Sequence, residues 1–144
     1  MILAPTPCGT TDAEALVRRF YEPLSTGDTD LVDTVLGTDW EADPALHAGP
    51  GHDGWKATVA YLRSVLGDLT FTIEDVVVAG DRVAVRSVTR GTHKGELLGV
   101  PATGRQIEIW ASDYHQVEGG RIVRSWHLED YYGVLQQLNA ETGA

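Results

Sequence analysis

The chain has 144 residues, enough for one domain with a substantial core but too few for two. Its hydrophobic content of 42% and charged content of 22% are typical of a globular protein. The formal net charge is −10, from 21 acidic and 11 basic residues, with no run of Lys or Arg. We therefore expect neither a nucleic-acid partner nor an anionic membrane partner, since both would repel this charge.

The only cysteine, Cys8, lies in a predicted flexible N-terminal tail of residues 1–10, and residues 11–144 are predicted to form the single domain. A lone cysteine has no partner for an internal disulfide or for a thiolate metal site. No apolar stretch approaches the roughly 20 residues that span a bilayer. The first residues also lack the basic and apolar regions of a signal peptide, so we expect a cytoplasmic protein.

The first half of the chain predicts three helices. Thr11 and Glu14 have the spacing of a capping box, and an apolar stripe at helical spacing follows them: Leu16, Val17, Phe20, Tyr21 and Leu24. Residues 28–36 predict a second, shorter helix, and residues 38–51 predict a short strand followed by a loop. Asp53 is the expected cap of a third helix, which ends at Gly67 and carries one apolar stripe: Trp55, Val59, Leu62 and Leu66.

From Leu69 onward the period changes from helical to two, which indicates strands. A first strand runs to the turn at residues 79–81, and a return strand follows it. A glycine-rich loop leads to two more strands joined at Gly119-Gly120, and residues 131–138 predict a last short helix. The fold class is therefore α+β, with a curved antiparallel sheet wrapped around three N-terminal helices.

The pairing of the last two strands decides which of their side chains face the core. If Gly119 and Gly120 are the turn residues, Val117 faces Ile122 and the more apolar face points inward. That face carries Ile107, Ile109, Ala111, Asp113, His115, Val117, Ile122, Trp126, Leu128 and Asp130. A bulge would exchange the faces beyond it.

Three polar residues interrupt this apolar face: Asp113, His115 and Asp130. Burial would raise the pKa of a carboxyl group there, and a nearby imidazolium would lower it. Such opposing effects bring an acid or base close to neutrality, as proton transfer requires, so the cluster indicates a functional pocket. The structural alternative is that Asp113 forms a satisfied polar pair with Arg124 or His115 at the rim of the sheet.

Other candidates are weaker. His93 starts the glycine-rich loop, where it would lie at a pocket mouth or on the surface, and Trp40 is a core, rim or substrate-stacking aromatic. The histidine and cysteine spacings match no metal site, and no phosphate-binding loop is present. We therefore expect no cofactor and chemistry by side chains alone.

Several segments together resemble the SnoaL-like polyketide cyclase family. They are Gly-x-Pro-x-Thr-Gly-Arg at residues 99–105, Gly-Arg-Ile-Val at 120–123, Trp126 with an aspartate four residues later, and Leu-x-Gln-Leu at 135–138. The N-terminal helix and residues 49–66 also look like the family, so the resemblance covers nearly the whole chain.

The resemblance implies a cone-shaped α+β barrel, cystatin-like, of the kind shared with nuclear transport factor 2 and ketosteroid isomerase. Such a fold encloses one deep apolar pocket and is often a homodimer. It also implies an intramolecular aldol closure with an aspartate acid/base and no cofactor. By position the aspartate is Asp130 and the histidine is His115, with Asp113 as their support and Glu129 as a substitute acid.

The predicted function is therefore a cofactor-independent cyclase acting on a small hydrophobic carbonyl compound, a class that includes polycyclic aromatic ones. We expect substrate contacts from Trp40, Trp126, Tyr114, His93, Glu129 and His127. Isomerisation and epoxide hydrolysis would fit the same pocket. The alternatives from other classes are a non-catalytic small-molecule-binding protein and, less favoured, a structural dimerisation module.

Overall fold

The computed structural model describes residues 7–140. The helices are α1 (Pro7–Thr26), α2 (Val32–Val35), α3 (Gly51–Val65) and α4 (Tyr131–Asn139), with a 3-10 turn at Thr29–Leu31. The strands are β1 (Leu36–Asp43), β2 (Leu66–Ala79), β3 (Arg82–His93), β4 (Gln106–Glu118) and β5 (Arg121–Glu129). This confirms the predicted order of helices and strands.

Some element boundaries differ from the prediction. α1 begins at Pro7, so residues 7–10 of the predicted tail are helical, while residues 1–6 lie outside the described part of the chain and the side chain of Cys8 is not described. α3 begins at Gly51, and its N-cap is Pro50, three residues before the predicted cap Asp53. No helix within residues 7–140 is long and apolar enough to cross a membrane.

The five strands form one curved, open sheet in the order β1-β5-β4-β3-β2. β2 to β5 are a continuous antiparallel meander, and β1 pairs in parallel with β5. The α1 stripe is buried against the sheet, as its helical spacing predicts: Leu16, Val17, Phe20, Tyr21 and Leu24. The predicted α+β architecture is confirmed.

Phe20 is the centre of an aromatic cluster between α1, α3 and the sheet. Its ring stacks on Trp55 of α3, with centroids 4.5 Å apart and planes 4° apart. The same ring meets the edges of Tyr21 at 4.9 Å and His115 at 5.0 Å. These contacts fix the positions of a phenol from α1 and an imidazole from β4.

The predicted pairing of β4 and β5 is wrong beyond the turn. Val117 pairs with Ile122 as expected, but Gln116 pairs with Arg124, so Val123 is an extra residue on β5. Gly119 and Gly120 both have positive φ, 56° and 74°, which makes the tight hairpin that precedes this bulge. Because one extra residue exchanges the two faces of a strand, every side chain of β5 after Val123 points the opposite way from the prediction.

The bulge therefore corrects three of the predicted inward residues. Trp126 and Leu128 lie on the outer face, where Leu128 is 70% exposed, and exposed Asp130 follows the end of β5. The inward side chains of β5 are Ser125, His127 and Glu129, opposite His115, Asp113 and Ala111 respectively.

Replacing Phe20 with Ala should lower the free energy of unfolding by about 3–5 kcal/mol, because it leaves a cavity among the rings of Tyr21, Trp40, Trp55 and His115. Urea unfolding monitored by tryptophan fluorescence measures this loss. Val77→Ala is the control, since Val77 is 62% exposed and its truncation should change stability by no more than about 0.5 kcal/mol. Equal effects of the two substitutions would contradict the assigned core.

Candidate active site

A chain of hydrogen bonds runs through the interior between α1, β1, β4 and β5. The Tyr21 hydroxyl lies 2.6 Å from Asp113 Oδ2 and 2.8 Å from His115 Nε2. His115 Nδ1 lies 2.7 Å from Ser125 Oγ, which accepts a hydrogen bond of 2.9 Å from Trp40 Nε1. We call these five residues the polar chain. Four of them are almost fully buried, and only Asp113 is partly exposed.

Burial keeps the interior members of the polar chain neutral. It lowers the pKa of His115 to about 3, and the positive charge of His127 acts in the same direction. Burial also raises the pKa of the Tyr21 phenol well above its usual value, with the charge of Asp113 as the next cause. At neutral pH both groups therefore serve as fixed hydrogen-bonding dipoles.

Asp113 is the titratable member. Burial raises the pKa of its carboxyl group to about 7, and the hydrogen bond from Tyr21 opposes that rise. Among nearby charges, Glu129 raises this pKa further and His127 lowers it. Its second oxygen, Oδ1, is covered from solvent and has no hydrogen-bond partner among the described residues. A carboxyl group with these properties can take or give a proton near neutral pH.

His127, directly opposite Asp113 on β5, is clamped between two acceptors. Its Nδ1 lies 2.8 Å from Glu129 Oε1, and its Nε2 lies 2.7 Å from the carbonyl oxygen of Pro44. Both ring nitrogens must then donate, which requires the imidazolium form. In agreement, the hydrogen bond to Glu129 raises the pKa of His127 to about 9.

The inner face of the sheet is partly exposed beside Asp113. The row across the sheet next to it consists of Ser87, Ala111 and Glu129, and the first two are small. Although they face inward, Ala111, His127 and Glu129 are partly exposed, so the interior is accessible from this side. Partly buried apolar side chains also pack around the interior: Leu46, Leu62, Leu69 and Phe71.

The concavities on the surface of the described residues include two that are lined in part by α1. One, of about 210 Å³, reaches Tyr21 between α1 and β2. The larger one, of about 580 Å³, lies at the hairpin-turn end of the sheet and is lined by residues such as Leu16, Gly80 and Val117, none of which belongs to the polar chain. The polar chain, rather than the larger concavity, therefore marks the candidate site.

The structure brings together five of the residues predicted for the site. Asp113 and His115 are joined through Tyr21, and His127 and Glu129 stand beside Asp113 on the inner face. Trp40 also belongs to this assembly, but it is buried behind Ser125 and its indole has no free face for a substrate.

The other predicted residues lie elsewhere. Asp130 caps α4, where its carboxylate accepts a hydrogen bond of 2.8 Å from the Gly133 backbone N–H. Tyr114 and Trp126 form an edge-to-face pair on the outer face of the sheet. His93 is fully buried rather than at a pocket mouth or on the surface, and its Nδ1 holds Thr103 of the loop between β3 and β4.

Tyr21 and Ser125 were not predicted as site residues. Tyr21 carries the one hydroxyl in the buried stripe of α1, and a buried hydroxyl requires a polar partner. That signal was available from the sequence. The sequence carries no such signal for Ser125, because the bulge that turns this residue inward has no clear sequence signature. Within residues 7–140, no group of three or more His, Cys, Asp or Glu side chains is placed to hold a metal ion.

Replacing Asp113 with Asn should remove a pH dependence of stability. The folded-state pKa of about 7 lies above the unfolded value, so the free energy of unfolding falls as pH rises toward 7. Between pH 5 and pH 8 the wild type should lose roughly 2 kcal/mol more than the variant, because Asn does not titrate. Urea unfolding at both pH values measures this difference.

His115 contributes equally to the pH dependence of stability in the wild type and in Asp113→Asn, so its contribution cancels from this comparison. Parallel stability–pH curves for the wild type and Asp113→Asn would show that Asp113 titrates normally. An excess loss in the wild type, confined to the range below about pH 7, is the expected pattern.

Comparison with known proteins identifies the family. A profile of the SnoaL-like polyketide cyclase family matches residues 15–138. An aklanonic acid methyl ester cyclase of Streptomyces peucetius is 29% identical over 127 residues, covering 85% of this chain and 88% of that relative. The structure of TsrD from Streptomyces laurentii is similar with a TM-score of 0.83 and 28% identity, covering 91% and 97% of the two chains. The structure of IdmH from Streptomyces antibioticus is similar with a TM-score of 0.76 and 30% identity, covering 89% of this chain and 99% of that one. Because the profile spans most of the sequence, this chain belongs to the SnoaL-like polyketide cyclase family.

Proposed function

We propose that this protein catalyses an intramolecular aldol ring closure and that Asp113 is its acid/base. The observation that carries the proposal is the environment of Asp113, whose pKa burial raises to about 7 while one of its oxygens is left without a partner. A base must hold its proton neither too tightly nor too loosely at the working pH. Asp113 meets that requirement without any cofactor.

The chemistry needs one group that first removes and then returns a proton. The Asp113 carboxylate takes a proton from a carbon next to a carbonyl, and the resulting enolate carbon attacks a second carbonyl of the same molecule. A carbon–carbon bond forms, the attacked carbonyl becomes an alkoxide, and that oxygen takes a proton from the Asp113 carboxylic acid. Atoms and charge balance, so the product is a cyclic isomer of the substrate.

The substrate class follows from the family and from the surroundings of the site. The relative from Streptomyces peucetius and a second one, from Streptomyces strain C5, are both named aklanonic acid methyl ester cyclases. In this chain Leu62, Leu69 and Phe71 give the interior apolar surfaces, while Glu129 and His127 supply charge beside Asp113. A small hydrophobic polyketide with several carbonyl groups suits both.

Two roles expected from the resemblance change under this proposal. Both ring nitrogens of His115 are already engaged, by Tyr21 and Ser125, so His115 acts on Asp113 through Tyr21 and not on the substrate. The Asp130 carboxylate is exposed and bonded to a helix N-terminus. Asp130 therefore serves as the comparison for Asp113 in the functional test.

Asp113→Asn should lower the rate of cyclisation by about 10²-fold or more, since the amide cannot accept the substrate proton. Aklanonic acid methyl ester is the first substrate to test. Its conversion to a product of unchanged mass but different retention, followed by liquid chromatography with mass detection, measures the rate. Asp130→Asn is the matched control and should lose far less activity, and the cap of α4 should be retained because Asn is about as good an N-cap as Asp.

Three other outcomes would change the proposal in distinct ways. Loss of turnover in Asp130→Asn with activity retained in Asp113→Asn would transfer the acid/base role to Asp130. Binding of the ester, seen as a raised melting temperature, with no turnover by the wild type would favour a small-molecule-binding protein. If the ester is neither bound nor converted, it is excluded as a ligand.

We also propose that the outer face of β4 and β5 pairs with a second copy of the chain. Leu128, Tyr114 and Trp110 are 70%, 45% and 40% exposed on this face, and Trp126 lies beside Tyr114. Large apolar side chains grouped on one exposed surface are typical of an interface. A twofold dimer uses the same patch on both subunits, so this face alone is sufficient.

Leu128→Glu should therefore shift the protein from dimer to monomer, because the interface would bury two like charges. Sedimentation velocity over a range of concentrations measures the distribution. Ala57→Glu, on the exposed side of α3, is the control and should leave the assembly unchanged. A wild type that sediments as a monomer throughout would refute the dimer.

A further inference from the structure

We propose that Ser125, with Trp40 behind it, is a positioning residue that fixes the direction of every hydrogen bond in the polar chain and so directs the Tyr21 hydroxyl to the Asp113 carboxyl group. The inference rests on the proposed role of Asp113 and extends it to residues that do not touch the substrate. It follows from the distances in the chain and from which atoms can donate.

The direction in which the hydrogen bonds donate is set first at Trp40. The indole Nε1–H can only donate, and its partner is Ser125 Oγ at 2.9 Å. The Ser125 hydroxyl hydrogen therefore cannot point to Trp40. Among the described residues its one available acceptor is His115 Nδ1, at 2.7 Å. Since Nδ1 accepts, the proton of the neutral imidazole is on Nε2.

The direction then passes to Asp113. His115 Nε2–H donates to the Tyr21 oxygen at 2.8 Å, so the single hydrogen of the Tyr21 hydroxyl is free to donate to Asp113 Oδ2 at 2.6 Å. With this arrangement each hydrogen in the chain has an acceptor. Asp113 Oδ1 is then the carboxyl oxygen without a hydrogen-bond partner among the described residues.

The reversed arrangement is disfavoured. If Tyr21 donated to His115, Nδ1 would carry the ring proton and donate to Ser125. The Ser125 hydroxyl hydrogen would then have no acceptor in a buried position, which is costly. The reversed arrangement would also take the hydrogen bond of Tyr21 away from Asp113.

The consequence is a carboxylate that accepts one side-chain hydrogen bond, from Tyr21. The groups that face Asp113 are Tyr21 from α1, His127 and Glu129 from β5, and Tyr131 from the start of α4. Of these, Tyr21 is the one that hydrogen-bonds to the carboxyl group. A change that lets Tyr21 turn to His115 should therefore raise the pKa of Asp113, whereas the other three neighbours stay as they are.

The direct test is the tautomer of His115 in the full-length protein, read from the ring nitrogen shifts in long-range ¹H–¹⁵N spectra. We expect a neutral ring with the proton on Nε2 at pH 7. A ring protonated at Nδ1 would overturn the proposal. This measurement needs no substrate, so its result is independent of whether Asp113 is catalytic.

Ser125→Ala provides the second test. Without the hydroxyl donor we expect a mixture of the two tautomers and a rise of about one unit in the pKa of Asp113, followed by the carboxyl ¹³C shift. If Asp113 is the base, kcat/KM should fall up to about 10-fold at pH 6 and little at pH 9, because only the ionised fraction changes.

Two further variants separate positioning from general destabilisation. Ser125→Thr retains the hydroxyl and should restore the Nε2 tautomer and the wild-type pH profile. Thr89→Val removes a buried hydroxyl from the inner face of β3, outside the polar chain, and should not move the tautomer. If Ser125→Ala lowers only the melting temperature and leaves the tautomer and the titration of Asp113 unchanged, Ser125 is merely structural and the proposal fails.

Discussion

One extra residue in β5 determines what the interior of this protein contains. With Val123 unpaired, Ser125, His127 and Glu129 face inward, and Trp126 and Leu128 face outward. Without the bulge the same strand would direct its apolar side chains to the inner face of the sheet and its polar ones to the outer face. Two features of the candidate site depend directly on this exchange: the Ser125 partner of His115 and the imidazolium opposite Asp113.

The polar interior is stable because nearly every buried polar atom has a partner. Burying a hydroxyl or an imidazole without a hydrogen bond costs about 1–3 kcal/mol, so an incomplete set would destabilise the fold. In the polar chain, α1, β1, β4 and β5 each supply at least one member. The chain therefore also fastens α1 and β1 to the sheet, which makes the geometry of the site part of the tertiary structure.

The sequence was sufficient for the element order, the fold class and the family, but only for half of the site. Helical spacing in α1 and period two in β2 to β5 are strong local signals, and Gly119-Gly120 located the hairpin. The bulge is a tertiary choice. After Val123 the residues Trp126 and Leu128 form the more apolar alternate set, so hydrophobic patterning favours the face that the fold does not use. A strand that lines a functional site breaks the rule that apolar residues point inward, because its polar functional side chains must face the interior.

The contrast between Asp113 and Asp130 shows what the fold adds to a carboxyl group. Asp130 is exposed to solvent, and its carboxylate accepts a hydrogen bond from the N-terminus of α4. Asp113 is shielded by its neighbours, held by one directed hydrogen bond, and placed opposite a positively charged ring whose own nitrogens are both occupied. Because the dipoles around Asp113 are fixed before a substrate arrives, little reorganisation is needed when a proton moves. His127 cannot compete for that proton, since it is already charged and bonded to Glu129 and Pro44. An aspartate in this setting can act at neutral pH because its surroundings hold every other proton in place.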